Sequence, residues 1–199
     1  ICLHFDKKLR DYQENIVGIY MNYVNSTLTE NSTTKGNGGI LEVPCGRGKT
    51  IMALNIISKL QKKTLIIVHK EFLMNQWIER INEFLPGAKI GKIQGPEFNI
   101  ENKDIVIGMI QTIYDKIYDD DAFSSFGLTI IDEVHRIGSE QFSRTLFKTI
   151  TPYMLGISAT VERKDKLTKL LYMFIGEKIY SEQRKNDDLV CVRGIEFQT

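Results

Sequence analysis

The sequence predicts an α/β fold in which a mostly parallel sheet is covered by helices on both faces. Short, continuously apolar stretches such as TLIIVH (64–69) alternate along the chain with longer segments whose apolar residues recur at helical spacing. Strands that are apolar on both faces are typical of parallel sheets buried between two helical layers. The 199 residues suit one domain of ordinary size.

The first half of the chain opens with a predicted helix at 9–24, which carries apolar and aromatic residues at helical spacing. The polar stretch 25–39 is rich in turn-forming residues and predicts a loop. The apolar run ILEV (40–43) predicts a strand. The elements predicted after it are a helix at 50–63, a strand at 64–69, a helix at 71–85 that ends before Pro86-Gly87, and strands at 89–93 and 104–110.

The second half continues the alternation of strands and helices. A short helix is predicted through YDKIY (114–118), and the strand GLTIIDE (127–133) ends in two acidic residues. The remaining predicted elements are a helix at 139–150, a strand at 153–160 that ends in Ser-Ala-Thr, a helix at 164–176 and a last strand at 189–197.

Composition excludes several classes of protein. The 26 basic and 25 acidic residues give a net charge of +1, which excludes a strongly basic nucleic-acid clamp, although a local patch can still bind phosphates. The three cysteines (Cys2, Cys45, Cys191) show no metal-site or disulfide spacing, which favours an intracellular, reducing compartment. No apolar run approaches the roughly 18 residues of a membrane span. No targeting signal precedes the first helix, and the missing initiator Met suggests a piece of a longer protein.

The segment LEVPCGRGKT (41–50) has the composition of a phosphate-binding loop between a strand and a helix. Gly46 and Gly48 permit close approach of the backbone to a ligand, and Lys49 supplies a charge for the β- and γ-phosphates. Thr50 offers a hydroxyl to Mg²⁺. The common pattern G-x-x-x-x-G-K-[ST] fails at its first position, where Val43 stands. A plain strand–turn–helix junction is therefore the alternative interpretation.

The strand TIIDE (129–133) supplies the acidic residues that such a loop requires. Asp132 is placed to hold Mg²⁺, directly or through water, and Glu133 to orient and deprotonate an attacking water. The alternative is an acidic surface turn, but the preceding strand is apolar throughout and begins no hairpin. An adjacent carboxylate pair favours hydrolysis over phosphoryl transfer to a small molecule.

These motifs resemble those of a known family. PCGRGKT, DEVH and SAT, in this order, resemble motifs I, II and III of superfamily 2 helicases and translocases, and LRDYQ resembles their Q motif. The wider pattern, with QW at 76–77 and LGISATVERKDKL at 155–167, is most similar to the XPB/UvsW-like branch, which includes helicases of large DNA viruses. In that superfamily the first glycine of the phosphate loop is commonly replaced, which accounts for Val43.

The resemblance implies that residues 1–199 form the first RecA-like lobe, a P-loop NTPase domain, with the second RecA-like lobe absent from this chain. It implies ATP and Mg²⁺ as cofactors, duplex or forked DNA as partner, and no membrane association. A viral origin would place the protein in the virion or the viral factory. An isolated lobe of this kind is expected to hydrolyse ATP weakly.

The resemblance also assigns roles to individual residues. Lys49, Asp132 and Glu133 are the implied catalytic residues, and Thr50 and Asp132 the metal ligands. The implied nucleotide-binding residues are Arg10, Gln13, Pro44, Cys45, Gly46, Arg47, Gly48, Lys49 and Thr50. Residues that couple the nucleotide state to nucleic-acid binding are His135, Ser158 and Thr160. The implied nucleic-acid contacts are His69, Lys70, Gln111 and Thr112.

Several alternatives stay open at the level of sequence. The chain could belong to a restriction-type DNA translocase subunit or be a non-motor P-loop nucleotide switch. Gln13 could be an exposed helix residue, and His69 and Lys70 could simply end a strand. For Trp77, the spacing with Phe84 and other apolar residues of its helix favours core packing over base stacking.

Overall fold

The computed structural model describes residues 1–26, 37–44, 47–134, 139–159 and 166–182, and these form one sheet with its covering helices. Its elements in chain order are α1 (Asp11–Ser26), β1 (Asn37–Glu42), α2 (Lys49–Leu60), β2 (Thr64–Val68), α3 (Glu71–Phe84), β3 (Ile90–Gln94), β4 (Glu97–Phe98), β5 (Ile105–Met109), α4 (Ile110–Asp115), β6 (Leu128–Asp132), α5 (Ser139–Lys148), β7 (Tyr153–Ser158), α6 (Lys166–Phe174) and β8 (Lys178–Ser181).

The predicted α/β fold class is confirmed. The eight strands are ordered β4-β3-β5-β2-β6-β7-β1-β8, and every pair is parallel except the antiparallel β3–β4 pair at one edge. The parallel order places β7 between β6 and β1, although β1 lies more than a hundred residues earlier in the chain than β7. Parallel strands present their carboxyl ends at the same edge of a sheet, where ligands of such folds bind.

Two apolar clusters cover the two faces of the sheet. Successive residues of β2 alternate between them: Ile66 and Val68 face α1, α2 and α3, whereas Leu65 and Ile67 face α4, α5 and α6. The β2 and β6 strands are buried at every position, as the continuous apolar runs predicted. The Tyr20 hydroxyl donates a buried hydrogen bond of 2.8 Å to the Met154 carbonyl, which ties α1 to β7.

The observed elements differ from the predicted ones in a few places. The predicted loop at 25–39 is wrong at both ends, because α1 continues to Ser26 and β1 already begins at Asn37. Gly38 and Gly39 pair in register with Met154 and Leu155 of β7. These two glycines therefore lie in a strand of the sheet, although sequence patterns assign them to a turn. The two-residue β4 and the edge strand β8 were not predicted, and the predicted strand at 189–197 lies outside the described residues.

Within the described part of the chain, no helix has the length and apolar character needed to cross a membrane.

A pair of glycine substitutions tests the packing of α1 and β1. Gly38 has no room for a side chain, because an added Cβ would collide with the Ile175 backbone carbonyl. Gly18 lies inside α1 with nothing near an added Cβ. We expect Gly38→Ala to lower the melting temperature by several degrees, and Gly18→Ala to raise it slightly, since alanine stabilises a helix interior by roughly 0.5–1 kcal/mol over glycine. Thermal unfolding followed by circular dichroism measures both, and equal shifts would contradict the assigned packing.

Candidate functional site

The carboxyl ends of β1, β7 and β6 bring the three predicted motifs together at one edge of the sheet. Glu42 pairs with Ser158 across β1 and β7, and Asp132 pairs with Ile157 across β6 and β7. Beyond the last paired residue, the Val43 N–H donates to the Ser158 carbonyl at 2.9 Å. The buried Ser158 therefore lies beside the start of the phosphate loop, while His135 and Thr160 lie outside the described residues.

The phosphate loop joins β1 to the amino terminus of α2. Val43 is 1% exposed and packs in the apolar cluster beneath α1, α2 and α3, which gives a physical reason for an apolar residue at this position. Gly48 has a left-handed backbone (φ 77°), and an added Cβ would meet the Gln13 amide. Both the backbone conformation and the lack of space for a side chain therefore require glycine at position 48.

Lys49 and Thr50 form the first turn of α2, where unpaired backbone N–H groups favour anions. Pro44 is buried, and Cys45 and Gly46 lie outside the described residues.

Lys49 and Glu133 form an ion pair that joins the phosphate loop to the end of β6. The Lys49 Nζ and Glu133 Oε1 atoms are 2.9 Å apart, and each side chain is about four-fifths buried, with 17% and 22% exposed. Glu133 has a left-handed backbone (φ 53°), which is strained for a non-glycine residue by about 1–3 kcal/mol. Such strain is typical of active sites, and the Glu133 side chain contacts the loop through Lys49.

Asp132 is held by a residue that sequence reasoning did not assign to the site. The Trp77 Nε1–H donates to the Asp132 Oδ2 over 2.8 Å, and both residues are buried. The expectation that Trp77 packs in the core is confirmed, since the side chain is 1% exposed. Its contact with Asp132 joins residues 55 positions apart, which helical spacing cannot reveal. The one available signal was that a buried indole N–H requires an acceptor.

Burial controls the protonation of Asp132. Removal of the carboxylate from water is the main cause that raises the pKa of Asp132 to about 6, and the neighbouring Glu133 carboxylate contributes in the same direction. The Trp77 hydrogen bond and the Lys49 charge act in the opposite direction. The site therefore holds an ionisable group in an environment that opposes its charged form, which is common at functional positions.

The predicted Q motif contacts the phosphate loop directly. Gln13 is 6% exposed, so the alternative of an exposed helix residue is wrong. Its Nε2 donates to the Arg47 carbonyl at 3.2 Å, and its Oε1 accepts from the Arg10 N–H at 3.0 Å. The Tyr12 hydroxyl also donates to the Arg47 carbonyl, at 3.3 Å.

Arg47 links the loop to two residues that the sequence did not suggest. Its guanidinium lies 4.2 Å from the Tyr12 ring centroid, and its Nε donates to the Glu182 carboxylate at 3.1 Å. A second donation from the guanidinium makes the contact with Glu182 bidentate. These contacts fix Arg47 without any ligand, whereas the Arg10 side chain is exposed.

The predicted nucleic-acid contacts lie at the ends of the neighbouring strands β2 and β5. His69 and Lys70 follow β2, and the exposed Lys70 precedes α3, with its ammonium 5.8 Å from the Phe72 ring. In α4, Gln111 donates to the Asp115 carboxylate, and the Thr112 hydroxyl accepts from the Gly95 N–H at 3.1 Å. These side chains share the edge of the motifs, and their contact with nucleic acid stays a prediction.

The donors present fit a magnesium ion. Thr50 and Asp132 offer a hydroxyl and a carboxylate, the hard oxygen ligands that Mg²⁺ prefers, and this ion usually takes few protein ligands besides water and phosphate. The Asp132 carboxylate retains acceptor capacity beyond the bond from Trp77, because a carboxylate offers about four lone-pair sites. Among the described residues, no cluster of three or more His, Cys, Asp or Glu side chains forms a metal site of another kind.

Comparison with known proteins relates this site to nucleic-acid motors. Residues 6–163 match the family described as the type III restriction enzyme, res subunit. The chain is 38% identical over 165 residues to L396 of Acanthamoeba polyphaga mimivirus, whose name describes an ATP-dependent RNA helicase; the match covers 83% of this chain and 32% of L396. It is 35% identical over 175 residues to the DNA 3'-5' translocase XPB2 of Sulfurisphaera tokodaii, covering 87% of this chain and 35% of the relative. The chain thus spans about a third of these relatives.

Solved structures show the same fold. The UvsW helicase from bacteriophage T4 superposes with a TM-score of 0.69 at 20% identity, over 90% of this chain and 63% of UvsW. The SWI2/SNF2 ATPase core of Sulfolobus solfataricus, solved in complex with dsDNA, superposes with a TM-score of 0.63 at 18% identity, over 85% of this chain and 36% of that core. The likeness confirms the predicted fold, a mostly parallel sheet covered by helices.

The raised pKa of Asp132 predicts a pH-dependent cost to stability in the metal-free chain. The folded state binds this proton more tightly than the unfolded state does. The bound proton therefore stabilises the fold to its full extent below pH 3.8, and this stabilisation is lost as the pH rises through about 6. We expect Asp132→Asn, which removes the charge and keeps an acceptor for Trp77, to be more stable than the parent above pH 7 by up to ~3 kcal/mol, at about 1.4 kcal/mol per pKa unit.

Denaturant unfolding of both proteins between pH 3.5 and 8 measures this difference. The exposed Asp120→Asn serves as control and should change stability by less than about 0.5 kcal/mol at any pH. A difference between Asp132→Asn and the parent that does not grow with pH would contradict the assigned environment.

Proposed function

The chain belongs to the family described as the type III restriction enzyme, res subunit, and on this premise we propose that it is the ATP-binding lobe of a superfamily 2 helicase or translocase. The protein would couple ATP hydrolysis to movement along nucleic acid. The observation that carries the proposal is the Lys49–Glu133 ion pair, because it joins the phosphate-binding loop to the acidic end of β6. Both halves of an ATP-hydrolysing site therefore lie within reach of each other.

The loop after β1 would bind the triphosphate. Backbone N–H groups at the start of α2 and the Lys49 ammonium supply positive charge to the phosphates, and Thr50 and Asp132 would hold Mg²⁺. When bound, Mg²⁺ neutralises charge that develops on the phosphate oxygens. Gln13 would contact the adenine from its position against the Arg47 carbonyl, with Arg10 nearby.

Glu133 would be the general base that deprotonates the attacking water. In the structure, this carboxylate is paired with the Lys49 ammonium at 2.9 Å. A bound triphosphate would compete for the same ammonium. Lys49 would then move from Glu133 to the phosphates, and the released Glu133 carboxylate could accept a proton from water. Nucleotide binding would thus expose the base only when there is a phosphate to hydrolyse.

We propose duplex or forked DNA as the partner and a second RecA-like lobe as the element that completes the site. The Sulfurisphaera relative named a DNA translocase and the neighbour solved with dsDNA support DNA, whereas L396 is named for RNA. Assays of the longest natural form of the protein on duplex, forked and RNA–DNA substrates decide between DNA and RNA as the partner.

The proposed nucleic-acid contacts are His69, Lys70, Gln111 and Thr112. The nucleotide site would couple to these contacts through Ser158, His135 and Thr160. The mimivirus relative supports an intracellular setting in an infected host.

The alternative functions receive less support. A nucleotide switch has no need of a water-activating glutamate beside the phosphate loop, and the relatives described above are named as helicases and translocases rather than as switches. Those names also favour a helicase over a restriction subunit, although the family takes its description from one.

Two substitutions separate binding from hydrolysis. Lys49→Ala should weaken ATP binding, since it removes the phosphate-binding charge. Glu133→Gln should keep binding and lower the turnover number by ~10²–10⁴-fold, the usual contribution of a general base. Lys59→Ala, an exposed lysine of the same helix, is the control and should behave as the parent. Equal loss of binding in the Lys49 and Glu133 variants would contradict the role of Glu133.

The 199-residue chain should be a slow ATPase by itself. An arginine supplied from outside the phosphate-loop lobe can contribute ~10³–10⁵-fold to such reactions. Arg47 is the arginine of the loop, and it is engaged by Glu182. We expect the chain to bind Mg²⁺-ADP, to hydrolyse ATP slowly and to show little stimulation by DNA. Steady-state ATPase with and without DNA tests this, and strong DNA-stimulated turnover that survives further purification would overturn it.

A further inference from the structure

Trp77 connects a core helix to the end of β6, where the proposed metal ligand Asp132 lies. The residue lies on the buried face of α3, one turn after Met74 and one turn before Ile81. This helix packs against β2 and β5, yet the indole N–H reaches across to the Asp132 Oδ2 at the end of β6, at 2.8 Å. With 1% of the Trp77 side chain and 7% of Asp132 exposed, water competes little for this hydrogen bond.

The partner of the indole distinguishes this contact from ordinary core packing. A buried tryptophan N–H needs an acceptor, but a backbone carbonyl usually suffices. Here the acceptor is an ionisable side chain, and hydrogen bonds to a carboxylate are roughly twice as strong as neutral ones. The Lys49 ammonium is engaged by the neighbouring Glu133 at 2.9 Å, so the two carboxylates have different side-chain donors. Lys49 contacts the proposed base, and Trp77 contacts the proposed metal ligand.

We infer that Trp77 is a positioning residue whose indole N–H orients the Asp132 carboxylate toward the divalent cation of the bound nucleotide. The inference rests on the proposed Mg²⁺-nucleotide site and adds a residue to it. A donor to one carboxylate oxygen restricts rotation of the group, so its remaining lone pairs point in a fixed direction. Residues that orient metal ligands in this manner typically contribute 10–100-fold to metal affinity.

Trp77→Phe removes the donor and keeps an aromatic ring in the core. The readout is the binding of a fluorescent ADP analogue to the full chain at increasing Mg²⁺ concentration. We expect the Mg²⁺ concentration for half-maximal effect to rise about 10-fold or more, while binding of the analogue in EDTA is unchanged. Met74→Leu, a volume-conserving change on the same buried face, is the matched control and should leave the Mg²⁺ dependence as in the parent.

A double-mutant cycle separates positioning from a general effect on the fold. If Trp77 acts through Asp132, Trp77→Phe should have no further effect on Mg²⁺ dependence in an Asp132→Asn background. Additive losses in the double variant would overturn the inference, because they would show that Trp77 acts on the site by another route.

The parent chain also provides a test without any change at position 77. Trp77 is the only tryptophan of the 199 residues, so intrinsic emission at long excitation wavelength reports on this indole alone. With saturating ADP in EDTA, addition of excess Mg²⁺ should change the emission, since a cation then binds the carboxylate that accepts from the indole. Asp132→Asn should abolish this response.

The outcomes distinguish the two proposals. A parent chain that binds no nucleotide, or binds it without any Mg²⁺ dependence, overturns the proposed function together with the role of Trp77. A parent that binds Mg²⁺-ADP but shows no emission response, or a folded Trp77→Phe that matches the parent or Met74→Leu in Mg²⁺ dependence, overturns the role of Trp77 alone. Circular dichroism and thermal unfolding establish that each variant is folded.

Discussion

The ion pair between Lys49 and Glu133 depends on the parallel pairing of β7 with both β1 and β6. The two charged residues are 84 positions apart, and each follows a different strand. Because β7 lies between those strands and pairs in parallel with both, their carboxyl ends lie at the same edge of the sheet, with Val43 donating to Ser158 and Asp132 in register with Ile157. The apolar clusters on the two faces hold this register, because a slip by one residue would move every buried side chain of a strand to the opposite face. The chemistry of the site is thus fixed by the core.

At the site itself, two residues adopt states that oppose folding. Glu133 has a backbone conformation that non-glycine residues avoid, and Asp132 is buried although burial raises its pKa to about 6. Each of these features opposes folding in the absence of a ligand. A bound cation would reverse the second, because a positive charge beside a buried carboxylate favours its ionised form. Binding of the metal and nucleotide is therefore expected to stabilise the fold by mass action, and the rest of the core must supply enough stability without it.

Sequence patterns predicted the layout of the fold and the main motifs because these depend on short-range order. Continuous apolar runs predicted the buried strands, and the glycine loop followed by Lys-Thr predicted the start of α2. Patterns missed what depends on contacts between distant residues. Trp77 was assigned to the core and not to Asp132, and Tyr12 and Glu182 gave no signal of their contact with Arg47. Asn37 to Gly39 were assigned to a loop because glycine disfavours strands, yet the close approach of the Ile175 backbone requires a residue without a side chain at Gly38.

The same loop is held from both sides by residues that a nucleotide would meet. On one side, Gln13 and Tyr12 donate to the Arg47 carbonyl, and on the other Lys49 pairs with Glu133. The contacts at Arg47 involve its backbone carbonyl and a bidentate pair with Glu182, so a ligand at the adenine side can bind without breaking the link between α1 and the loop. The Lys49–Glu133 contact differs, because one ammonium cannot neutralise a carboxylate and a triphosphate equally at the same time. A triphosphate carries more charge than a single carboxylate, so the lysine is expected to favour the nucleotide. The loop would then keep its position while the charges at its end rearrange, and this rearrangement would free the proposed base, Glu133, when the nucleotide binds.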